Sequence, residues 1–588
     1  MAADVDGGVV RRDVVIVGGG PAGLTAAARL AASGLTVTIL DEQPELGGQY
    51  YRRPAPEVAR VWGDHRPEGG RLIGRVRAAG VECRTGHLVW GVADDGRTLL
   101  ASDAAGRAVR LRGRYVILAT GAYERVFPFP GWRLPGVTTP GFAQHLAADH
   151  TSVGDRVVLA GSGPFLLPVA CSLLALGVTV AGIAEVGAPY RPGPRASGAL
   201  LHPARLRELA GYAARLARAR VPLWQRTVVL RADGRERVSS VTLASATTPG
   251  RPIRTVEVDA LCVGYGFRPQ TDLARMLGCA TGTDAVTGEV SPLTGPAGRS
   301  SRDEVYVVGE AASVGGVHAA VARGMTAAHD ILAREHDTPT REHDTLTREH
   351  GTLTREDGTP TREHGTLARE HGDTRGHDDA GGRGGPSAPA LGKGREPVPA
   401  SEIRRWARAR RRAEHFAALT GSIYPGPALL LDTLAASVPD ETPVCRCEAI
   451  TAGEIRETAA ARAGGDLNAT KAWTRAGMGP CQGRECGFAV SALVRATRPG
   501  ETADRPVEAF PSRTPVRPVP VATLLEIAES RAGNGATADT DGSGAGSGIG
   551  RGLHGGDVTG TGTRGDVIGD DEDTGKGSDR DSDDGTTT

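Results

Sequence analysis

The chain has 588 residues, room for three or four domains, and its 69 Lys and Arg balance 69 Asp and Glu to a net charge of zero. That balance removes the electrostatic ground for expecting nucleic acid or an anionic membrane as partner. No run of eighteen apolar residues occurs, which excludes a membrane-crossing helix from the expectations, and MAADVDGGVVRR has neither the apolar stretch nor the cleavage site of a secretory signal. Arg11 and Arg12 precede DVVIVGGGPAG, which reads as a buried strand and a phosphate loop rather than an export signal. The expected location is the cytoplasm, with any membrane contact made through an electron acceptor. In a reducing compartment Cys83, Cys171, Cys262 and Cys279, scattered singly, are expected to be small buried apolar residues without redox chemistry.

From about residue 10 to residue 332, β-branched stretches alternate with Ala/Leu-rich amphipathic segments, the pattern of an α/β fold with doubly wound parallel sheets. Two strand–helix–strand starts stand out. The first predicts a strand over 13–18, a helix from Pro21 to Ser33 stopped by Gly34, and a strand over 36–40. The second predicts a strand over 156–160, a helix ending at Leu176 before Gly177, and a strand ending at Ile183. Two nested Rossmann-like domains follow: a discontinuous one at 10–150 and 255–332, enclosing a second at 151–254.

From Arg334 to about Arg375 a seven-residue unit repeats (REHDTPT, REHDTLT, REHGTLT and variants). Each unit offers at most one Leu, worth about 2 kcal/mol on burial, against roughly 7–14 kcal/mol of backbone entropy for ordering seven residues. The span 333–400 is therefore expected to be a disordered linker, with its spaced histidines read as repeat residues rather than metal ligands. A small helical domain is expected at 401–500. In it Thr451 and Glu454 form a capping box, Asp466 caps a second helix, and a third helix starts after Arg484. A C-terminal extension at 501–535 and an acidic, Gly/Thr/Asp-rich disordered tail at 536–588 complete the chain.

GGGPAG sets Gly18, Gly20, Pro21, Ala22 and Gly23 directly after a strand and at the mouth of a helix, the context the dinucleotide fingerprint requires. Gly18 permits the tight turn, Gly20 admits the pyrophosphate and Gly23 lets helix and strand pack closely. The phosphate then rests on helix N-terminal amides. Asp41, at the end of the second strand, is placed to accept from the adenosine ribose, with Glu42 as the alternative. The second loop, GSGPFL, keeps Gly161 and Gly163 but carries Leu166 where the third glycine belongs. That side chain should wedge between helix and strand or crowd a pyrophosphate. It argues against bound NAD(P), although Glu185 stands where a ribose acid would be, so this domain is expected to serve as scaffold or interface.

In order and spacing, Gly47-Gly48-Gln49, Ala119-Thr120-Gly121 and Gly309-Glu310 resemble the FAD contacts of the two-dinucleotide-binding-domain flavoproteins. The resemblance implies FAD as cofactor at those residues. Where that superfamily usually has Asp, this chain has Glu310, one methylene longer. Relatives that reduce disulfides carry paired cysteines near the flavin; none precede Cys445 here, which excludes that activity.

Cys445 and Cys447, then Cys481 and Cys486, supply four thiolates from two loops, the complement of a [2Fe-2S] cluster. Zinc suits the same spacing. The neighbours favour a cluster: Gly477, Gly479, Gly483 and Gly487 can bring amides to sulfur, and Arg446, Lys471, Arg475 and Arg484 can offset anionic charge. VCRCEAIT with KAWTRAGMGPCQGRECG is similar to the BFD-like [2Fe-2S] domain. With LDEQPELGGQYYR, ATGAYERVFPFPGWRLPGV and LCVGYGFRPQTDLARMLGC, the whole resembles the large flavoprotein subunit shared by opine oxidases, hydrogen cyanide synthase and dye-linked D-hydroxyproline or proline dehydrogenases. The resemblance spans 10–332 and about 403–500.

It implies an FAD- and [2Fe-2S]-containing oxidoreductase subunit that relays electrons from oxidation of an opine, hydroxyproline, proline or glycine type of substrate. The implied partners are a small ferredoxin-like protein and a D-amino-acid-oxidase-like FAD subunit. No acid–base pair is recognisable as catalytic; His145, Tyr50 and Tyr51 read as packing residues. Two alternatives stay open: a stand-alone NAD(P)H-dependent flavin reductase, and a flavoprotein with a structural zinc docking domain.

Overall fold

The computed structural model describes residues 5–6, 8–56, 58, 60, 66–93, 96–189, 202–283, 290–337, 397–424, 434–461, 466–497, 510 and 517–535. The chain divides into two units, Met1–Asn534 and Gly535–Thr588. The acidic tail at 536–588 and the heptad repeat beyond Asp337 lie outside the described residues.

Period-two burial builds the first sheet. In β1 (Val9–Val17), Val14 and Ile16 turn to one face, where they join Leu24, Ala27 and Leu30 of helix α1 (Pro21–Ala31). Val15 and Val17 turn to the other and meet Leu99, Leu111 and Leu118. β1 lies between β2 (Val37–Asp41), which carries β3 (Glu82–Thr85) on its far side, and the long β6 (Ala108–Leu118). These contacts are parallel. Antiparallel strands β5 (Thr98–Ser102) and β4 (Leu88–Val92) extend the sheet from the first half of β6.

The second sheet is wholly parallel. From one edge it runs β10 (Leu223–Gln225), β9 (Thr179–Glu185), β8 (Arg156–Gly161), β11 (Ala260–Gly264) and β7 (Val137–Thr138). It takes strands from both sides of 151–254, so the sheet is wider than the span expected from the sequence. The first sheet is then completed by β12 (Val305–Val307), parallel to the end of β6. In both sheets the carboxyl ends of the strands carry the glycine loops, where ligands bind in open α/β folds.

Helix α3 (Gly316–Asp337) packs on α1, and the close approach depends on Gly324, whose Cβ would lie 2.3 Å from the Ala22 carbonyl. It also corrects the linker expectation. The first four residues of the repeat, 334–337, are helical, because Glu335 accepts from the Tyr115 hydroxyl at 2.9 Å and from Arg114 at 2.6 Å. Helix α4 (Ala400–Ile423) lies against α3 through Arg323–Glu414 at 3.3 Å and His329–Glu402 at 3.2 Å. This helix, expected with the cysteine domain, instead covers the first domain. The capping residues stand as expected: Glu454 accepts from the Thr451 amide at 2.7 Å, and Asp466 accepts from the Ala469 amide at 2.6 Å. They start the helices Ala452–Ala461 and Leu467–Thr474, and a third helix, Gly487–Ala496, follows the last cysteine.

The face of the second sheet formed by Val158, Ala160 and Val263 shares one core with Val444, Cys445, Cys486, Phe488 and Leu493. The cysteine domain is therefore docked. Trp132 donates its indole N–H to the Pro443 carbonyl at 2.7 Å across this contact.

Candidate functional site: a nucleotide cradle bridged to a cysteine clamp

The first glycine loop is closed around by backbone. A Cβ on Gly18, whose φ is +106°, would lie 2.3 Å from the Ala119 carbonyl, and one on Gly23 would lie 2.0 Å from the Gly18 carbonyl. Only glycine fits either place. α1 starts at Pro21 with Gly20 as its N-cap, so its first amides face the loop. Across the loop Gly47 donates to the Gly19 carbonyl at 2.9 Å, and a Cβ on Gly48 would lie 2.9 Å from the Gly20 α-carbon. The sequence-predicted Gly18, Gly20, Gly23, Gly47 and Gly48 thus share one cradle. Ala119 borders it by bonding to Val17 at 2.8 Å, and Gly309 brings a second approach, with a Cβ 3.0 Å from that of Ala22.

Asp41 is buried and accepts from the amides of Gly19 at 2.6 Å and Gln43 at 2.8 Å. Burial nevertheless holds its pKa above the usual carboxylate value. Glu42 faces Arg517 instead, at 3.2 Å. Glu310 accepts from the Gly316 amide at 3.2 Å, and burial pushes its pKa up too. The cradle's bare backbone, its helix N-terminus and its buried acid fit a dinucleotide. Tyr51 packs into the core beside α1, whereas Tyr50 is exposed and has the Arg66 guanidinium 3.9 Å from its ring centroid. His145 is half-buried, and burial lowers its pKa.

The second loop departs from this arrangement. Its helix α2 (Leu166–Ala175) begins at the very residue that replaces the third glycine, two positions later than α1 does in the aligned loop. Leu166 is 2% exposed and packs with Val157, Leu159 and Ala143. Glu185 is 1% exposed, and its two oxygens accept from Gly163 and Gly187, each at 3.1 Å. Burial raises its pKa to about 7.

The four cysteines come together in a chain of contacts: Cys445 to Cys486, Cys486 to Cys481, and Cys481 to Cys447. Among the described residues no three His, Cys, Asp or Glu side chains converge as a single ion would need. The Cys486 thiol lies within hydrogen-bond reach of both neighbours, which holds Cys445 down at about 6 and Cys481 at about 4, while Cys486 itself is pushed up. Backbone amides of Gly477, Cys447 and Glu448 donate to the Cys445 sulfur, and those of Gly483 and Glu485 to Cys481. Gly477 and Gly483 therefore play the expected part. Gly479 is required for space instead, since its Cβ would lie 2.1 Å from that of Cys447. Four thiols with amides aimed at two of the sulfurs fit a [2Fe-2S] cluster. Cys445 and Cys486 are buried, Cys481 is half-buried and Cys447 is exposed.

Between cradle and clamp runs a segment whose role sequence reasoning missed. Gln270 donates its amide to the Gly121 carbonyl at 3.0 Å, and its own carbonyl accepts from the Thr120 hydroxyl at 3.3 Å. On the other side Arg268 donates to the Arg484 carbonyl at 2.6 Å, and Asp272 pairs with the Arg484 guanidinium at 2.8 Å. Residues 268–272 thus join the strand end beside the cradle to the loop between Cys481 and Cys486. FRPQTD shows no periodicity and no motif chemistry that would have announced this.

Residues 12–326 match the pyridine nucleotide-disulphide oxidoreductase family and residues 443–496 match the BFD-like [2Fe-2S] binding domain. The chain is 31% identical over 534 residues to the A subunit of opine oxidase from Rhizobium meliloti (strain 1021), covering 88% of this chain and 99% of that one. It is 32% identical over 509 residues to hydrogen cyanide synthase subunit HcnB of Pseudomonas aeruginosa, covering 82% and 93%. The fold is similar to that of L-proline dehydrogenase from P. horikoshii, with a TM-score of 0.56 and 20% identity over 88% of this chain and 80% of that chain. These matches account for both the cradle and the clamp: the chain is an FAD-dependent oxidoreductase with a [2Fe-2S] domain, and it belongs to the pyridine nucleotide-disulphide oxidoreductase family, within the group that includes the A subunit of opine oxidase.

Proposed function

We propose that this chain is the electron-relaying subunit of a hetero-oligomeric enzyme that oxidises an amine or imino acid of the opine, proline, hydroxyproline or glycine type. FAD would be held by Gly18, Gly20, Pro21, Ala22, Gly23, Asp41, Gly47, Gly48, Gln49, Ala119, Thr120, Gly121, Gly309 and Glu310, and the cluster by Cys445, Cys447, Cys481 and Cys486. Bound there, FAD supplies a two-electron acceptor and the [2Fe-2S] group a one-electron carrier. The protein's share is positioning and electrostatics. The amides at Gly477 and Gly483 offset thiolate charge, and burial in the apolar core keeps water from Cys445 and Cys486.

The observation that carries the reading is the bridge at 268–272, bonded to Thr120 and Gly121 on one side and to Arg484 on the other. A chain that only reduced a diffusing substrate at its flavin would gain nothing from it. The subunit character rests on relatives that are themselves named as subunits; a D-amino-acid-oxidase-like flavoprotein and a small ferredoxin-like protein are the partners proposed. We read the second Rossmann-like domain as scaffold, supported by Leu166 in its core and by Glu185 turned inward onto its own loop.

The test is anaerobic purification of the full chain, alone and with the two proposed partners. Flavin, iron and labile sulfide should all be present. Dye reduction with proline, hydroxyproline or an opine should need the partner flavoprotein. Stoichiometric bleaching of the flavin by NADH or NADPH would overturn the scaffold reading.

A further inference from the structure

We propose that Phe510 is an apolar seal over the loops of the iron–sulfur site, with Arg275 as the latch that fixes the seal to the flavin domain. The proposal rests on the [2Fe-2S] reading of the four cysteines. It concerns residues beyond the matched [2Fe-2S] domain, which ends at residue 496.

Phe510 is 7% exposed, and its ring lies directly on the cysteine loops. A Cβ added to Gly477 would come 2.4 Å from that ring, one added to Gly483 2.3 Å, and one added to Gly487 3.3 Å. Gly477 and Gly483 are two of the residues whose amides donate to Cys445 and Cys481. The ring therefore covers two N–H···S contacts and takes the room that side chains at those glycines would fill. The Lys471 ammonium lies 5.0 Å from the ring centroid.

The backbone of Phe510 is held from the flavin side, where its carbonyl accepts from Arg275 at 2.8 Å. Arg275 lies on the short helix Asp272–Met276, next to the Asp272 that grips Arg484. Further along, Arg517 donates to the Tyr123 hydroxyl at 2.7 Å and pairs with Glu42 at 3.2 Å. The helix Val521–Gly535 is fastened to the antiparallel strands of the first sheet: Glu526 accepts from the Ala108 amide at 2.7 Å, the Thr523 hydroxyl donates to the Gly106 carbonyl, and Ile527 packs with Trp90 and Leu100. These residues thus reach from the cysteine loops to the far strands of the flavin domain.

The physical effect of the seal has a definite sign. A cluster holding one more electron carries one more negative charge, which water stabilises and an apolar neighbour does not. An aromatic cover that keeps water from the cluster therefore lowers the reduction potential. The same cover slows the local opening through which water, oxygen or a chelator reaches sulfur and iron.

The experiment uses full-length protein purified anaerobically, with flavin, iron and sulfide counted first. Decay of the cluster absorbance in air with a chelator is then followed, together with the cluster's midpoint potential. Phe510→Ala should lose its cluster about tenfold faster, equivalent to about 1.4 kcal/mol of local protection, and its potential should shift positive. Phe510→Leu, which keeps an apolar cover, should stay near the wild type. Arg275→Ala should shift both readouts in the direction of Phe510→Ala by a smaller amount, with flavin content unchanged. Wild-type lifetime and potential in both Phe510→Ala and Arg275→Ala would overturn the proposal, as would Phe510→Leu losing its cluster as fast as Phe510→Ala. Wild-type protein without iron and labile sulfide would overturn the cluster reading itself and the seal with it.

Discussion

The two glycine loops of this chain share one design and differ at one decisive position. In the first, Gly23 lets helix α1 touch the Gly18 carbonyl, so the helix starts at Pro21 and presents its amides to the loop. In the second, Leu166 holds that place, the helix starts there, and the leucine goes into the core. The acids are alike: Asp41 and Glu185 are both buried, at 6% and 1% exposure, and each accepts two backbone amides. The shape of the loop is thus retained while one side chain moves the start of the helix.

Exchanging the decisive residue should break the comparison most strongly. Gly23→Leu drives a side chain into the Gly18 carbonyl, a backbone clash beyond the ~1–3 kcal/mol of ordinary overpacking. Flavin content, read from the visible spectrum, should fall to near zero. The reverse change is milder. Leu166→Ala should cost about 4 kcal/mol through the cavity it leaves, seen as a lower denaturation midpoint, with no gain of flavin bleaching by NADH. Should bleaching appear, the second loop would be a site with a blocked door rather than scaffold.

The acid of the second loop sharpens the comparison through pH. Glu185 has a folded pKa raised to about 7, against 4.5 for the free side chain. The folded state therefore binds the extra proton between those values, and stability falls as pH rises from about 4.5 to 7, by up to about 3 kcal/mol. Glu185→Gln should flatten that slope in denaturant titrations run across the window. A slope unchanged by the substitution would mean that Glu185 keeps its charge in the folded protein.

Much of this was legible in the sequence, for reasons that differ by region. Gly18, Gly20, Gly23, the Thr451–Glu454 capping box, the Asp466 cap and the four cysteines are local patterns with fixed spacing, and spacing survives in sequence. Because hydrophobic periodicity dictates them, the two βαβ starts fall within two residues of the observed strands and helices, except that the first strand begins at Val9, four residues before the expected start. What escaped depends on tertiary context. Residues 334–337 carry the repeat's composition yet fold as helix, since Tyr115 and Tyr306, far away in sequence, supply partners for Glu335 and Arg334. Helix α4 follows the linker and so reads with the cysteine domain, but its partners include Arg29, Arg323 and His329 of the first domain and His202 of the second. The 268–272 bridge and Phe510 hold their places through long-range backbone contacts that no window of sequence contains.

The shared core of the second sheet and the cysteine domain has a kinetic consequence. Lifting the clamp away would break the Trp132–Pro443, Arg268–Arg484 and Asp272–Arg484 contacts together and uncover Phe488, whose ring lies 4.7 Å from the Arg125 guanidinium. The distance an electron travels is therefore set when the chain folds, not by a domain excursion in each turnover. Intramolecular transfer should run at the same rate in buffer and in viscous glycerol, as it would in a wire soldered at both ends.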